Sequence, residues 1–147
     1  MILDAYAVVA FLRDEPAAEE VQALLVRNRG ASLTVVGVAE VLDRLIRLGG
    51  IEEEEAALDL AQLSLADPKP LEVSVAAAAG LLRARRYHRT RCAISLADCI
   101  VAEVARSNGT AVVTSDPHLL DVCATEGIAV EVLPDTQGRR WTRETEQ

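Results

Sequence analysis

Short apolar segments that alternate with helix-like segments constrain the fold of this chain more than any other feature. The apolar patterns predict strands at residues 1–4, 32–36, 110–114 and 128–133, and a further short strand at 71–73. The segments between them predict helices at residues 5–13, from 16, from 37 to 48, at 52–66, from 74 through an arginine-rich stretch, at 96–107 and at 117–126. Strands that alternate with helices are typical of an α/β domain with a mainly parallel sheet. We therefore expect a three-layer α/β/α sandwich with a small sheet.

The composition is consistent with one cytoplasmic domain. The chain has 147 residues, of which 50% are hydrophobic but only 3% aromatic, so the expected core is aliphatic. The three cysteines are odd in number and lack CxxC spacing, which indicates reduced thiols. No apolar run reaches the ~18 residues of a membrane span, and no basic region precedes the first apolar run. We expect a domain at residues 1–133 and a polar tail at 134–147.

Four acidic residues stand beside apolar sequence, where a carboxylate is unexpected. Asp4 interrupts MILDAYAVVAFL, Glu40 lies in TVVGVAEVLDRL, Asp98 lies in ISLADCIVAEVA and Asp116 closes AVVTSD. A carboxylate in apolar surroundings costs stability unless it is neutralised. Asp4 and Asp116 follow predicted strands, and the other two fall in first turns of predicted helices. In α/β folds ligands bind at the carboxyl ends of strands, so three or four of the acids are expected to share one crevice.

Two of these acids also have purely local interpretations, which are weaker than the case for a site. Asp98 lies on the apolar face of its helix, and it forms a capping-box pattern with Ser95. Asp4 is placed to cap the helix that follows it. Both residues are therefore expected either to cap a helix or to contribute to a site.

The other two acids have stronger local interpretations. Asp116 precedes Pro117, which is the pattern of an N-cap followed by proline at the first helical position. Glu40 is spaced for an i,i+4 ion pair with Arg44 on a solvated face. The argument for a site is collective. Two carboxylates about 4 Å apart repel by about 4 kcal/mol at an effective dielectric of 20, and hard oxygen ligands suit Mg²⁺ or Mn²⁺.

The charge distribution is uneven. A net charge of −8 argues against a general nucleic-acid binder, whose surface is usually basic. The segment RARRYHRTR nevertheless concentrates positive charge, and it contains Arg83, Arg85, Arg86, Arg89 and Arg91. These side chains are candidates for binding a phosphate backbone, and the alternative is a solvated helix end followed by a loop.

The segments ILDAYAVVAFL, TVVGVAEVLDRL and ISLADCIVAEVARSNGTAVVTSD resemble, in order and spacing, the PIN-domain family. The resemblance covers about residues 1–133 and is greatest to the VapC-type toxins of bacterial toxin–antitoxin pairs. It implies a metal-dependent endoribonuclease that uses Mg²⁺ or Mn²⁺ to hydrolyse RNA. It also implies a homodimer, and a cognate antitoxin that inserts a segment into the active-site groove.

The resemblance assigns roles to particular positions. As catalytic residues and ligands of one or two metal ions it implies Asp4, Glu40, Asp98 and Asp116. It implies that Thr114 is a supporting hydroxyl beside the acids. Many relatives carry a small hydroxyl residue two positions after the first acid, whereas this chain has Tyr6, which would supply a bulkier oxygen.

Three alternatives remain open from the sequence. A catalytically degenerate PIN-like module would bind RNA or a protein without cleavage. A receiver-type phosphoacceptor domain would need paired acids after the first strand, and here Asp4 stands alone. The apolar side chains of the early helices would form a partner or dimer surface, or would lie in the core; they are Val8, Phe11, Leu24 and Leu25.

Overall fold

A parallel sheet organises the molecule. The computed structural model describes residues 1–143, and in that range three strands pair in the order β1-β2-β3. Their bounds are Ile2–Leu3 for β1, Val112–Thr114 for β2 and Val130–Val132 for β3. β2 pairs in parallel with both neighbours. All three strands therefore end at the same edge of the sheet, as expected from the alternating pattern.

Helices connect the strands and cover the sheet. Within the described range they are α1 (Ala5–Leu12), α2 (Ala18–Arg27), α3 (Val35–Asp43), α4 (Glu53–Gln62), α5 (Val73–Arg86), α6 (Leu96–Asn108) and α7 (Pro117–Glu126). A π-helical turn, Arg44–Leu48, continues α3 up to Gly49. The predicted end of this helix is therefore confirmed, although the change of helical geometry inside it was not predicted.

The predicted strand at 32–36 is wrong in extent. Only Ser32 makes parallel bridges, one to Ile2 and one to Ala66. The backbone then turns into α3 because the Thr34 side chain accepts a hydrogen bond from the Gly37 N–H at 2.9 Å, which is an N-cap contact. Two single-residue bridges thus extend the sheet beyond β1 without forming full strands.

Other predicted boundaries also need correction. The second helix begins at Ala18, two residues after Pro16. The helix predicted at 52–66 ends at Gln62, and Ser64 then adopts a left-handed φ of 54°, which stops the helix. No strand forms at 71–73 in the described chain, because α5 already begins at Val73 and its N-cap is Glu72. The predicted cap Ser74 is therefore inside the helix.

The two faces of the sheet bury two separate apolar clusters. Leu3 and Val113 point into one cluster together with side chains of α1, α2, α3 and α4. Ile2 and Val112 point into the other, with side chains of α5, α6 and α7. Successive strand residues alternate between faces, so β1 and β2 each contribute to both cores. This arrangement confirms the α/β/α sandwich.

The early apolar side chains belong mainly to the first of these clusters. Val8 and Leu24 are fully buried, and Phe11 and Leu25 are partly buried against them. The core alternative for these residues is thus supported. Among the described helices, none is long and apolar enough to cross a membrane.

Candidate active site

One cleft at the carboxyl edge of the sheet brings the four predicted acids together. Its volume is about 490 Å³. The predicted acids on its wall are Asp4, Glu40, Asp98 and Asp116. Asp4 directly follows β1, and Asp116 lies two residues after β2. The cleft is also lined by Tyr6, Arg44, Ser95, Ser115, Asp135 and Thr136, among others. Parallel strands that end at one edge therefore produce the clustering that the sequence predicted.

Asp4 is the most buried acid of the cleft, with 5% of its surface exposed. It caps α1 by accepting a hydrogen bond from the Ala7 N–H at 2.9 Å, and it accepts a second from the Thr114 hydroxyl. Burial raises the pKa of Asp4 to about 7 although both hydrogen bonds lower it, and the charges of Asp98 and Asp116 raise it further. The surroundings of Asp4 thus disfavour its ionised form.

Thr114 connects the first acid to the fourth. Its hydroxyl donates to Asp4 and accepts from the Asp116 N–H at 3.0 Å. Asp116 in turn caps α7, because its Oδ1 accepts from the N–H groups of His118 (2.8 Å) and Leu119 (3.0 Å). The predicted cap before Pro117 is confirmed. Being a helix cap does not remove Asp116 from the cleft.

Asp98 forms the predicted capping box with Ser95. The Asp98 N–H donates to the Ser95 hydroxyl oxygen at 3.0 Å, and Oδ2 of Asp98 accepts from the Ser95 hydroxyl at 2.7 Å and from its N–H at 3.3 Å. Burial raises the pKa of Asp98, the Ser95 hydroxyl lowers it, and the charge of Asp116 raises it again. The cap and the cleft thus involve the same carboxylate.

Glu40 lies near the predicted partner Arg44, with 3.7 Å between Oε2 and the guanidinium NH2. Burial raises the pKa of Glu40 and the charge of Arg44 opposes this shift. Both side chains line the cleft, so the ion pair predicted for a solvated face is part of its wall. Sequence reasoning did not place Arg44 at the site, because the i,i+4 spacing alone does not show which way the pair faces.

The donor chemistry of the cleft fits a hard divalent cation, since every acid offers carboxylate oxygens. Within residues 1–143, however, no group of three or more Asp, Glu, His or Cys side chains is arranged to hold a metal ion as it stands. The carboxylates that cap helices can still bind a metal ion. The described hydrogen bonds to Asp98 all use Oδ2 and those to Asp116 all use Oδ1, so each has a second oxygen.

The segment after residue 133 contributes to the cleft, which was not predicted from its polar composition. The Tyr6 hydroxyl donates to the Pro134 carbonyl at 2.9 Å, so its hydrogen bond goes to this segment and not to Asp4. Asp135 and Thr136 then line the cleft. Further along, Arg140 donates to the Val132 carbonyl at 2.8 Å. The part of the predicted tail up to Arg143 lies within the described residues, and residues 144–147 lie outside them.

The five clustered arginines divide into two groups. Arg83 donates through Nε to the Ile94 carbonyl at 2.9 Å and stacks on Tyr87, 4.3 Å from the ring centroid. Arg86 donates through Nε to Glu126 at 2.8 Å. These two side chains hold α5 against its neighbours.

The remaining arginines are exposed. Arg85 lies 3.8 Å from Glu126 at the surface. Arg89 and Arg91 are exposed on a tight turn whose ends, His88 and Cys92, form an antiparallel bridge. The chain then continues through Ala93 into the wall of the cleft. The turn that carries these two exposed arginines is therefore adjacent in sequence to a residue of the cleft wall.

The comparisons with known proteins agree with this geometry. The family model described as PIN domain matches residues 1–124. No curated protein matches the sequence. Among solved structures, PAE2754 from Pyrobaculum aerophilum is similar with a TM-score of 0.62 and 21% identity, covering 88% of this chain and 87% of that one. VapBC2 from Rickettsia felis, crystallised with a DNA fragment from its promoter, gives 0.65 and 16%, covering 88% and 96%.

A third structure shows the same fold. FitAcB from Neisseria gonorrhoeae is similar with a TM-score of 0.57 and 23% identity, covering 88% of this chain and 94% of that one. The family match spans most of the 147 residues and includes the segments that carry all four acids. The chain therefore belongs to the PIN domain family, a family of nucleases.

Proposed function

We propose that this protein is a metal-dependent endoribonuclease that acts as the toxin of a toxin–antitoxin pair. The observation that carries the proposal is the meeting of four carboxylates in one cleft of a PIN-domain chain. The resemblance of the sequence to VapC-type toxins supports the toxin role, and a structural neighbour bears the name VapBC2. Asp4, Glu40, Asp98 and Asp116 are the proposed metal ligands.

The residues of the cleft have defined tasks in this proposal. Bound there, Mg²⁺ or Mn²⁺ would activate water and neutralise charge on the scissile phosphate. Asp98 and Asp116 would each bind the metal through the carboxylate oxygen that does not accept a hydrogen bond in the helix cap. Asp4 is fixed by the Ala7 N–H and the Thr114 hydroxyl, so it is already oriented. Its pKa of about 7 means that a cation would compete with a proton for this carboxylate.

The substrate must approach a negative centre, so basic groups at the entrance matter. Arg89 and Arg91 are the preferred candidates for RNA phosphate contacts, because they are exposed on the turn that leads to Ala93. Arg85 is a third exposed candidate. Arg83 and Arg86 are weaker ones, since their guanidinium groups already serve packing within the domain.

The antitoxin and a second copy of the chain are the proposed protein partners, both carried by the sequence resemblance. A second candidate function is a module that binds RNA or protein without cleavage. It is favoured by the fact that no three acids in residues 1–143 are arranged around a common point as they stand. The two functions differ in one measurable respect, which is metal-dependent cleavage.

The test compares two substitutions that each remove one negative charge. Asp98→Asn keeps an acceptor oxygen for the Ser95 cap, and we expect it to abolish Mg²⁺- or Mn²⁺-dependent cleavage of structured RNA while the fold is retained. Asp14→Asn is the control. Asp14 is exposed and has a φ of 53°, a conformation that asparagine tolerates. Its variant should cleave like the wild type.

Two outcomes would count against the nuclease. Full cleavage by the Asp98→Asn variant would show that the cleft is not the active site. No cleavage by the wild type in either metal, together with no rise in melting temperature at millimolar metal, would favour the non-cleaving module, because a cation that binds only the native state must stabilise it.

A further inference from the structure

Arg44 differs from every other residue that lines the cleft. Among the described cleft-lining side chains it is the one basic group, facing four acids on the proposed metal site and Asp135. It is the first residue of the π-helical turn Arg44–Leu48. Such turns are rare inside α-helices and are frequently found at functional sites. The position of Arg44 therefore has two independent peculiarities, its charge and its backbone geometry.

The guanidinium of Arg44 is only loosely engaged. Its NH2 lies 3.7 Å from Glu40 Oε2, beyond the usual range of a hydrogen bond. Arg47, three residues later, provides a direct contrast. It donates to both oxygens of Asp43, with distances of 3.0, 3.2 and 2.8 Å. Arg47 thus makes a bidentate contact with its carboxylate partner. The guanidinium of Arg44, in contrast, is too far from Glu40 for a hydrogen bond.

We propose that Arg44 is a substrate-contact residue that donates hydrogen bonds to a phosphate group of the bound RNA within the cleft. Guanidinium groups bind phosphate oxygens in a bidentate geometry that lysine cannot reproduce. The side chain of Arg44 is 39% exposed, so a phosphate that enters the cleft can reach it. This inference rests on the proposed nuclease function, because it names how the substrate of that site is held.

Arg44 also offsets part of the negative charge of the cleft before substrate enters. Its charge opposes the burial-induced rise in the pKa of Glu40 and of Asp98. When RNA is bound, the same positive charge would serve a phosphate group of the substrate. The arginines of the 88–92 turn would contact the backbone outside the cleft, and Arg44 would contact it inside.

The test uses a matched pair of substitutions on one helical segment, Arg44→Gln and Arg47→Gln. RNA binding is measured by fluorescence anisotropy at millimolar Mg²⁺ in an Asp98→Asn background, so that cleavage does not consume the probe. We expect Arg44→Gln to weaken binding about tenfold. It should also lower the slope of log K against log salt by about 0.7, the value for one phosphate contact on a single strand. Arg47→Gln should change neither.

Cleavage kinetics provide a second readout. We expect Arg44→Gln to raise KM more than it lowers kcat, and Arg44→Lys to recover only part of the affinity. Equal effects of Arg44→Gln and Arg47→Gln would overturn the inference, and so would a loss of kcat with unchanged affinity and salt slope. Either result leaves the nuclease assignment standing if the wild type cleaves RNA. Absence of cleavage by the wild type overturns the nuclease assignment, while the binding assay still reports on Arg44.

Discussion

The replacement Asp4→Asn should stabilise the protein against unfolding at neutral and alkaline pH when no divalent metal is present. Folding raises the pKa of Asp4 from 3.8 to about 7, chiefly by burial. The native state therefore holds the proton more tightly than the unfolded chain, and stability falls as the pH rises through this window. The gap of about three pH units corresponds to about 4 kcal/mol.

Asparagine removes this penalty but also weakens contacts. It keeps an acceptor for the Ala7 N–H, and it loses the charge that strengthens the hydrogen bond from Thr114. The pKa of about 7 already includes the effect of both hydrogen bonds. We therefore expect a gain of about 4 kcal/mol above pH 7, and no gain below about pH 3, where Asp4 of the wild type is protonated in the folded and the unfolded state.

Urea unfolding followed by circular dichroism, with chelator present, measures this difference at about pH 4, 6 and 8. Asp14→Asn serves as the exposed control and should show no comparable pH dependence. Added Mg²⁺ should then stabilise the wild type more than Asp4→Asn, since the neutral side chain is a poorer ligand. A stability difference that stays constant from acid to alkaline pH would refute the reasoning, because it would show that Asp4 is not the group that titrates.

Two further substitutions test the contacts around the site. Ser95→Ala removes the N-cap of α6, so it should lower the free energy of unfolding by about 1 kcal/mol in urea titrations. It should also raise the pKa of Asp98 further, so the acidic limb of the pH–rate profile should move to higher pH. Glu126→Gln removes the negative charge and one of the two oxygens that accept from Arg86 at 2.8 Å and Arg106 at 3.0 Å, and it should cost about 1–2 kcal/mol near pH 7. Since these arginines lower the pKa of Glu126, that loss should shrink in acid, as the wild-type carboxylate becomes protonated.

Local patterns in the sequence predicted much of the fold because they involve neighbouring residues. Ser95 with Asp98, and Asp116 with Pro117, were recognised as helix starts, and the structure confirms both. Gly109 at a φ of 62° ends α6 as expected, since glycine adopts this conformation at little cost. Predictions were less accurate for residues 32–36 and 71–73. There the apolar stretches suit a strand, but a helix begins within each of them. A few apolar residues do not distinguish these outcomes without the partners they pack against.

The candidate site shows the same division between local and distant contacts. The acids were identifiable as anomalies in apolar sequence, and the parallel sheet predicted that two of them would meet. The inward face of Glu40 and Arg44 was not predictable, because the i,i+4 spacing of the pair does not show which way it faces. The contribution of Asp135 and Thr136 was not predictable either, since it depends on the contact of Pro134 with Tyr6, 128 residues away in sequence.

The sequence by itself determined that this chain forms an α/β domain in which two of the four acids follow strands, since hydrophobic periodicity and capping patterns are properties of short segments. Only the tertiary structure decided which carboxylate is most buried, which arginines face the acids and which segment closes the wall of the cleft. These features arise from contacts between residues far apart in the chain. Burial and charge around a group depend on everything that packs against it, and so the pKa of Asp4 is a property of the folded cleft alone.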